Sequence, residues 1–340
     1  EAGLGKSRLA ADVIQQADEM GFFGCGGECQ SYGTNTSYHV WHSIWRGFFG
    51  LEPTMSRQEQ TQIIKDVLRE INPALVRRFP LLGSALNITI PDNDLTRSLN
   101  AKVRKSSLES MLVACIQGRA RTQPILLVLE DCHWLDPMSH DLLEVVGRAS
   151  ADVPILILVI YRPPEPQQRR APRVKALPNF TEIRLTEFNI QEADQLIQMK
   201  LAQFFGSQPQ VSPALLDRIM KQAAGNPFYI EELLNYLQAL GIDPMDHESL
   251  ESLELPRSIT SLILSRIDQL TESQQITLKV ASVIGRLFNA AMVWGIYPRL
   301  GEPANVQDNL KTVQELELTV LDHPDPELTY IFKHVFTQEV

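Results

Sequence analysis

The sequence predicts an α/β fold in three parts, and three observations predict it. The chain opens on "EAGLGKSRLA", a glycine-rich turn that runs straight into a helical pattern. Two short apolar runs with charged ends, "PILLVLED" and "VPILILVIYR", flank a stretch with helical spacing, the arrangement of buried parallel strands. From about residue 187 the pattern becomes helical throughout, and it closes on a short hairpin pattern near the end.

Taken in order, Leu9, Val13, Ile14, Ala17 and Met20 recur at helical spacing, predicting a helix from about Gly5 to near Gly21. "FFGCGGECQ" reads as a strand, and Val40, Ile44, Trp45, Phe48 and Phe49 mark the next helical face. A helix from about Leu99 to Arg121 leads into "PILLVLED". A further helix containing Leu142, Leu143, Val145 and Val146 leads into "VPILILVIYR", and the sheet is expected to be covered on both faces. Ser212-Pro213 and Asn226-Pro227 are start signals for two of the later helices. "IDPMDHESLESLE" reads as a polar, acidic linker, after which helices and candidate strands in "LTVLDHPDPELTYIFKH" suggest a winged helix. The expected architecture is a P-loop NTPase parallel sheet with its first strand missing (1–186), an α-helical lid (187–250) and a winged-helix domain (251–340).

Composition narrows the function. At 340 residues, with 44% hydrophobic and 21% charged residues, the chain has ample material for two or more cores. A formal charge of -10 opposes non-specific attraction to nucleic acid or anionic membrane, so neither is expected as a partner. The densest basic stretch, Arg162, Arg169, Arg170, Arg173 and Lys175, is rich in proline and reads as a solvated loop. Four scattered cysteines, Cys25, Cys29, Cys115 and Cys132, suit reduced thiols in a cytoplasmic protein better than a disulfide framework. No apolar run approaches the roughly 20 residues that a membrane-spanning helix needs.

The chemistry begins at the glycine loop. A phosphate-binding loop reads Gly, four residues, Gly-Lys, then Ser or Thr, so Gly3, Gly5, Lys6 and Ser7 supply its later positions and the leading glycine is expected upstream. Glycines let the backbone turn its N–H groups toward phosphate. Lys6 would neutralise phosphate charge, Ser7 would ligate Mg²⁺, and the helix start would add a favourable dipole. The second apolar strand ends in Glu130 and Asp131, where a P-loop ATPase carries its acidic pair: one carboxylate for Mg²⁺, the other to orient or deprotonate water. Which does which is open. A solvated acidic turn is the structural alternative. His133 and Trp134 are expected to brace the strand end.

With "LEDCHWLDPMSHDLL", "GNPFYIEELL", "LPRSITSLILSRID", "VASVIGRLF" and "FKHVFTQEV" following "SYGTNTSYHVWHSIWRGFFGL" in order, the sequence resembles the STAND branch of the AAA+ superfamily. It looks most like the ATPase module found beside class III nucleotide cyclase domains. That resemblance implies ATP/ADP and Mg²⁺ as cofactors, Arg162 as a sensor of the γ-phosphate, Gly225 and Pro227 against the adenine, and His334 at the β-phosphate. The residues flanking His334 depart from the family's Met-His-Asp pattern, being Lys333 and Val335. The structural alternatives are a solvated strand-end arginine, a helix-starting proline and a packed histidine.

The expected function is an ATP-binding, slowly hydrolysing switch in a multidomain signalling protein, with a cyclase upstream, helical repeats downstream and self-association left open. Driving such a switch from 1:99 to 99:1 needs about 5.5 kcal/mol of differential affinity. The alternatives are a nucleotide-binding scaffold that does not hydrolyse, and a winged-helix transcriptional regulator.

Overall fold

The computed structural model describes residues 3–163, 172–205, 213–241, 255–256, 258–297, 301–323 and 327–340. The chain divides into two compact units: Lys6–Arg184 with Glu1, and Leu185–Val340 with Ala2–Gly5. The expected linker at 242–254, and Arg169 and Arg170, lie outside the described residues.

The first unit is α/β. Helix α1 (Lys6–Glu19) precedes β1 (Phe23–Glu28), and α2 (His39–Phe49) and α3 (Arg57–Ile71) follow. Two short helices, α4 (Leu82–Leu86) and α5 (Asp94–Arg97), lead to α6 (Ala101–Ala120), β2 (Ile125–Glu130), α7 (Pro137–Ala149) and β3 (Ile155–Val159). The sheet has the order β1-β2-β3, with both pairs parallel and Phe23, Ile125 and Ile155 in register. Central β2 is apolar along its length because both its faces are buried, as a parallel strand between crossover helices requires.

One face of this sheet carries most of the core. Trp41, Ile44, Trp45 and Phe48 of α2, Ile64 and Leu68 of α3, and Met111 and Leu112 of α6 pack there and are at most 1% exposed. The other face departs from expectation. Only Ala10 and Ala17 of α1 are buried, while Leu9, Ile14 and Met20 are 39%, 40% and 71% exposed, and Leu156 on β3 is 45% exposed. Ala17 packs on Leu126 and Val128, with Phe22, Leu158 and Ile160 alongside. One helix about 10 Å across covers a strip about two strands wide, so the residues flanking its alanine stripe and the outer strand remain in solvent.

The second unit begins with helices α8 (Ile190–Phe205), α9 (Pro213–Ala223) and α10 (Pro227–Ala239). Next come α11 (Ile259–Ile267), α12 (Glu272–Ile284), β4 (Leu287–Asn289), α13 (Ala290–Ile296), α14 (Pro303–Glu315), β5 (Thr319–His323), β6 (Thr329–Phe332) and α15 (Val335–Glu339). The three strands form an antiparallel sheet ordered β4-β6-β5. The expected hairpin is β5–β6; the third strand, β4, is too short to announce itself in sequence. Two apolar clusters fill the unit. One runs from Ala193 to Leu262 among the first helices, and the other from Leu270 to Phe332 under the sheet.

Candidate functional site

In the first unit, the candidate residues gather at the C-terminal ends of the strands and the start of α1. Lys6 opens α1 and is half-buried, and Ser7 is exposed in its first turn. Glu130 ends β2 in register with Glu28 of β1. The next residue, Asp131, leaves the strand with φ 50°, a left-handed conformation that turns the chain sharply into the 3-10 helix Cys132–Trp134. Asp131 Oδ1 lies 3.7 Å from His133 Nδ1, and the His133 side chain is 2% exposed. Arg162 lies three residues after the end of β3 at Val159; just past that end the Ile160 N–H donates to the Leu129 carbonyl, and the Ile160 carbonyl accepts from the Cys132 N–H, both at 2.9 Å.

The electrostatics tie three of these groups together. Burial and the neighbouring Arg162 guanidinium lower the Lys6 ammonium below its ordinary value, and Asp131 offsets them in part. Arg162 Nε is buried and makes no hydrogen bond among the described residues. Two cations this close, one with an unsatisfied buried N–H, form a site that fits an anionic group such as a nucleotide phosphate. Two other described residues of the basic stretch are used otherwise: Arg173 pairs with Asp141 and Glu144, and Lys175 with Glu182.

In the second unit, the candidates gather at the start of α10. Gly3 has φ 82° and Gly5 φ 87°, conformations open to glycine and strained for other residues. A Cβ on Gly3 would lie 2.7 Å from Asn226 Oδ1 and 2.9 Å from Phe228 Cβ, and the Phe228 N–H donates to Gly3 O at 3.3 Å. Gly225, at φ 76°, accepts from the Phe188 N–H at 2.7 Å, and a Cβ there would sit 2.5 Å from the Phe188 carbonyl oxygen. Asn226 caps α10 by accepting from the Phe228 and Tyr229 N–H groups, and Pro227 occupies the first helical position. Pro227 therefore has the helix-starting role read from sequence.

His334 lies in the same place. Its ring packs on Phe228 with centroids 4.0 Å apart, and Phe336 approaches Phe228 edge-on at 6.5 Å. Its Nε2 is buried with no hydrogen bond among the described residues. Burial pushes the imidazole down to about 4, against the pull of Glu231. Lys333 reaches Glu231 at 2.9 Å and Glu317 at 2.6 Å, which explains a lysine next to His334.

Sequence reasoning missed Asp136, Phe228 and the charges around Lys333. Asp136, 2% exposed, accepts hydrogen bonds from Tyr38, His39, Met138 and Ser139 and so joins the starts of α2 and α7. Its signal was the Asp-Pro pair, an N-cap followed by proline. The charged partners are far apart in sequence and carry no local signal.

Residues 1–160 match the family model of an AAA ATPase domain. The whole chain aligns at 25% identity over 353 residues with the uncharacterized protein R02095 of Rhizobium meliloti (strain 1021), and spans 32% of that protein's length. Among solved structures, Drosophila ORC bound to DNA is similar at a TM-score of 0.39 and 12% identity, covering 97% of this chain and 84% of that one. Among the described residues, no helix is long and apolar enough to cross a membrane.

Proposed function

We propose that this chain is the ATP-binding and slowly hydrolysing switch module of a multidomain signalling protein. The observation that carries the reading is the meeting of Lys6 and Asp131, both in the stretch 1–160 that matches an AAA ATPase domain, with Arg162 just beyond that stretch. A bound magnesium nucleotide supplies the phosphoanhydride and the divalent charge. Gly5, with open space beside it, leaves room for a close backbone approach to phosphate and Gly3 gives the loop its left-handed turn, Lys6 neutralises the phosphate, and Ser7 with one of Glu130 and Asp131 would hold the metal. The other carboxylate orients water and accepts its proton. Arg162 registers the terminal phosphate. Roles for Gly225 and Pro227 at the base and for His334 at the β-phosphate rest on the motifs of the second unit alone. The STAND class, the cyclase link and the helical repeats rest on the resemblance of the motifs alone.

The test is binding of a fluorescent ATP analogue and release of phosphate by the full chain with Mg²⁺, beside Lys6→Ala and Asp131→Asn. Binding lost in Lys6→Ala, with turnover lost but binding kept in Asp131→Asn, supports the switch. Binding without turnover in the wild type supports a non-hydrolysing scaffold. Binding unaffected by Lys6→Ala overturns the assignment of the site.

A further inference from the structure

In the second unit, Lys200 of α8, Glu231 of α10, Glu317 after α14 and Lys333 after β6 form a closed square of alternating charge. Lys200 lies 2.9 Å from Glu231 and 3.3 Å from Glu317, and Lys333 lies 2.9 Å from Glu231 and 2.6 Å from Glu317. Both lysines meet the same oxygen of each glutamate, and the four side chains are 11–34% exposed. Asn235 adds a hydrogen bond to Glu317, and Arg266 reaches both Glu232 and the Leu316 carbonyl.

This square lies on the seam between the two apolar clusters of the unit. Glu317 holds its carboxylate there at φ 56°, a backbone conformation that favours glycine. The seam also holds the Phe228–His334 stack, one residue along from both Pro227 and Lys333. An apolar seam resists parting because its surface gains nothing from water or salt. Charges regain hydration when they part, and salt acts chiefly through the more exposed members, Glu317 at 34% and Lys333 at 21%, because a partly buried pair is screened less than an exposed one.

We propose that the Lys200–Glu231–Lys333–Glu317 square is a salt-sensitive latch that holds the C-terminal sheet body on α8 and α10 and seats His334 on Phe228. It opens while both apolar cores stay intact. The inference concerns this unit alone and stands whether or not nucleotide binds. Glu231 is held at about 2 because Lys333 and Lys200 outweigh the effect of burial, so the latch is fully charged near neutrality.

The experiment places spin labels at the exposed positions Asp217 on α9 and Lys311 on α14 of the full chain and measures their separation by pulsed electron resonance. In wild type, about 1 M NaCl is expected to raise a second, longer-distance population over 0.1 M, with circular dichroism unchanged. Glu317→Gln and Lys333→Met are expected to show that population already at low salt. In Lys333→Met the His334 titration, followed by NMR, should return from about 4 toward the ordinary 6.5. Should Lys333→Met lose its helical signal, the wild-type salt series and Glu317→Gln decide. One unchanged distance across salt and in a folded Glu317→Gln would overturn the latch and make the square a fixed joint.

Discussion

Replacing Asp136 with alanine is expected to cost the first unit about 4 kcal/mol of stability. Its Oδ1 accepts from the N–H groups of Tyr38, Met138 and Ser139 at 3.0–3.1 Å. Its Oδ2 accepts from the His39 N–H at 3.1 Å and the Ser139 hydroxyl at 2.5 Å. Alanine would leave four backbone N–H groups buried at the starts of α2 and α7, and about 1 kcal/mol for each gives the total. Asparagine is the sharper comparison. It keeps the Oδ1 set but turns an amide N–H₂ toward the His39 N–H, so about 2 kcal/mol is expected. Urea unfolding followed by the fluorescence of Trp41 and Trp45, both 0% exposed, reads the first unit. An alanine variant within about 1 kcal/mol of wild type, or one no worse than asparagine, would refute the account of Asp136 as a shared cap.

Other outcomes follow from single residues. Gly225→Ala combines a left-handed φ with a Cβ 2.5 Å from the Phe188 carbonyl oxygen, and should destabilise the second unit by about 3 kcal/mol; a melting temperature within a degree of wild type would contradict it. His334 stays neutral in the fold down to about 4, whereas an unfolded histidine takes its proton near 6.5. The unfolded state therefore binds more protons in that window, so stability falls as pH drops from 6.5 to 4 and this contribution is flat below. His334→Phe should flatten that slope in a series of urea midpoints against pH, while the loss from Glu231, between about 4.5 and 2, remains. Burial pushes the Cys25 and Cys115 thiols up to about 12 and Cys132 well above its ordinary value, and Cys29 is only 3% exposed. A thiol reagent at pH 8 should leave all four unreacted in the folded chain and modify all four in urea; rapid reaction of the native protein would show that the core opens.

Much of the fold was legible because its signals are local. The run "ILLVLE" has room for no structure but a strand buried on both sides, and Asn226-Pro227 states a helix start in two residues. The apolar spacing of α2 is read directly, and its residues Ile44, Trp45 and Phe48 are at most 1% exposed, with Trp41 beside them at 0%. The same spacing misled for α1. Periodicity says which residues share a face, but the neighbours decide whether that face is covered, and here only the alanines meet the sheet. The stretch 51–98 supplies Ile64 and Leu68 to the core from α3, which a Ser56–Glu59 capping box opens, and Leu82 and Leu86 from the five-residue α4, too short to stand without packing.

The sequence by itself determined the order of the three parallel strands with the helices α1, α2, α6 and α7, the glycine positions of the loop and the acidic pair at the end of β2. Each depends on the conformation of a few adjacent residues or on a period of two or 3.6. The tertiary structure alone decided which charges meet. It set Arg162 beside Lys6, Asp136 between two helix starts, and Lys333 between Glu231 and Glu317, 102 and 16 positions away. Electrostatic interaction depends on distance through space and on burial, and neither leaves a mark on the spacing of residues along a chain.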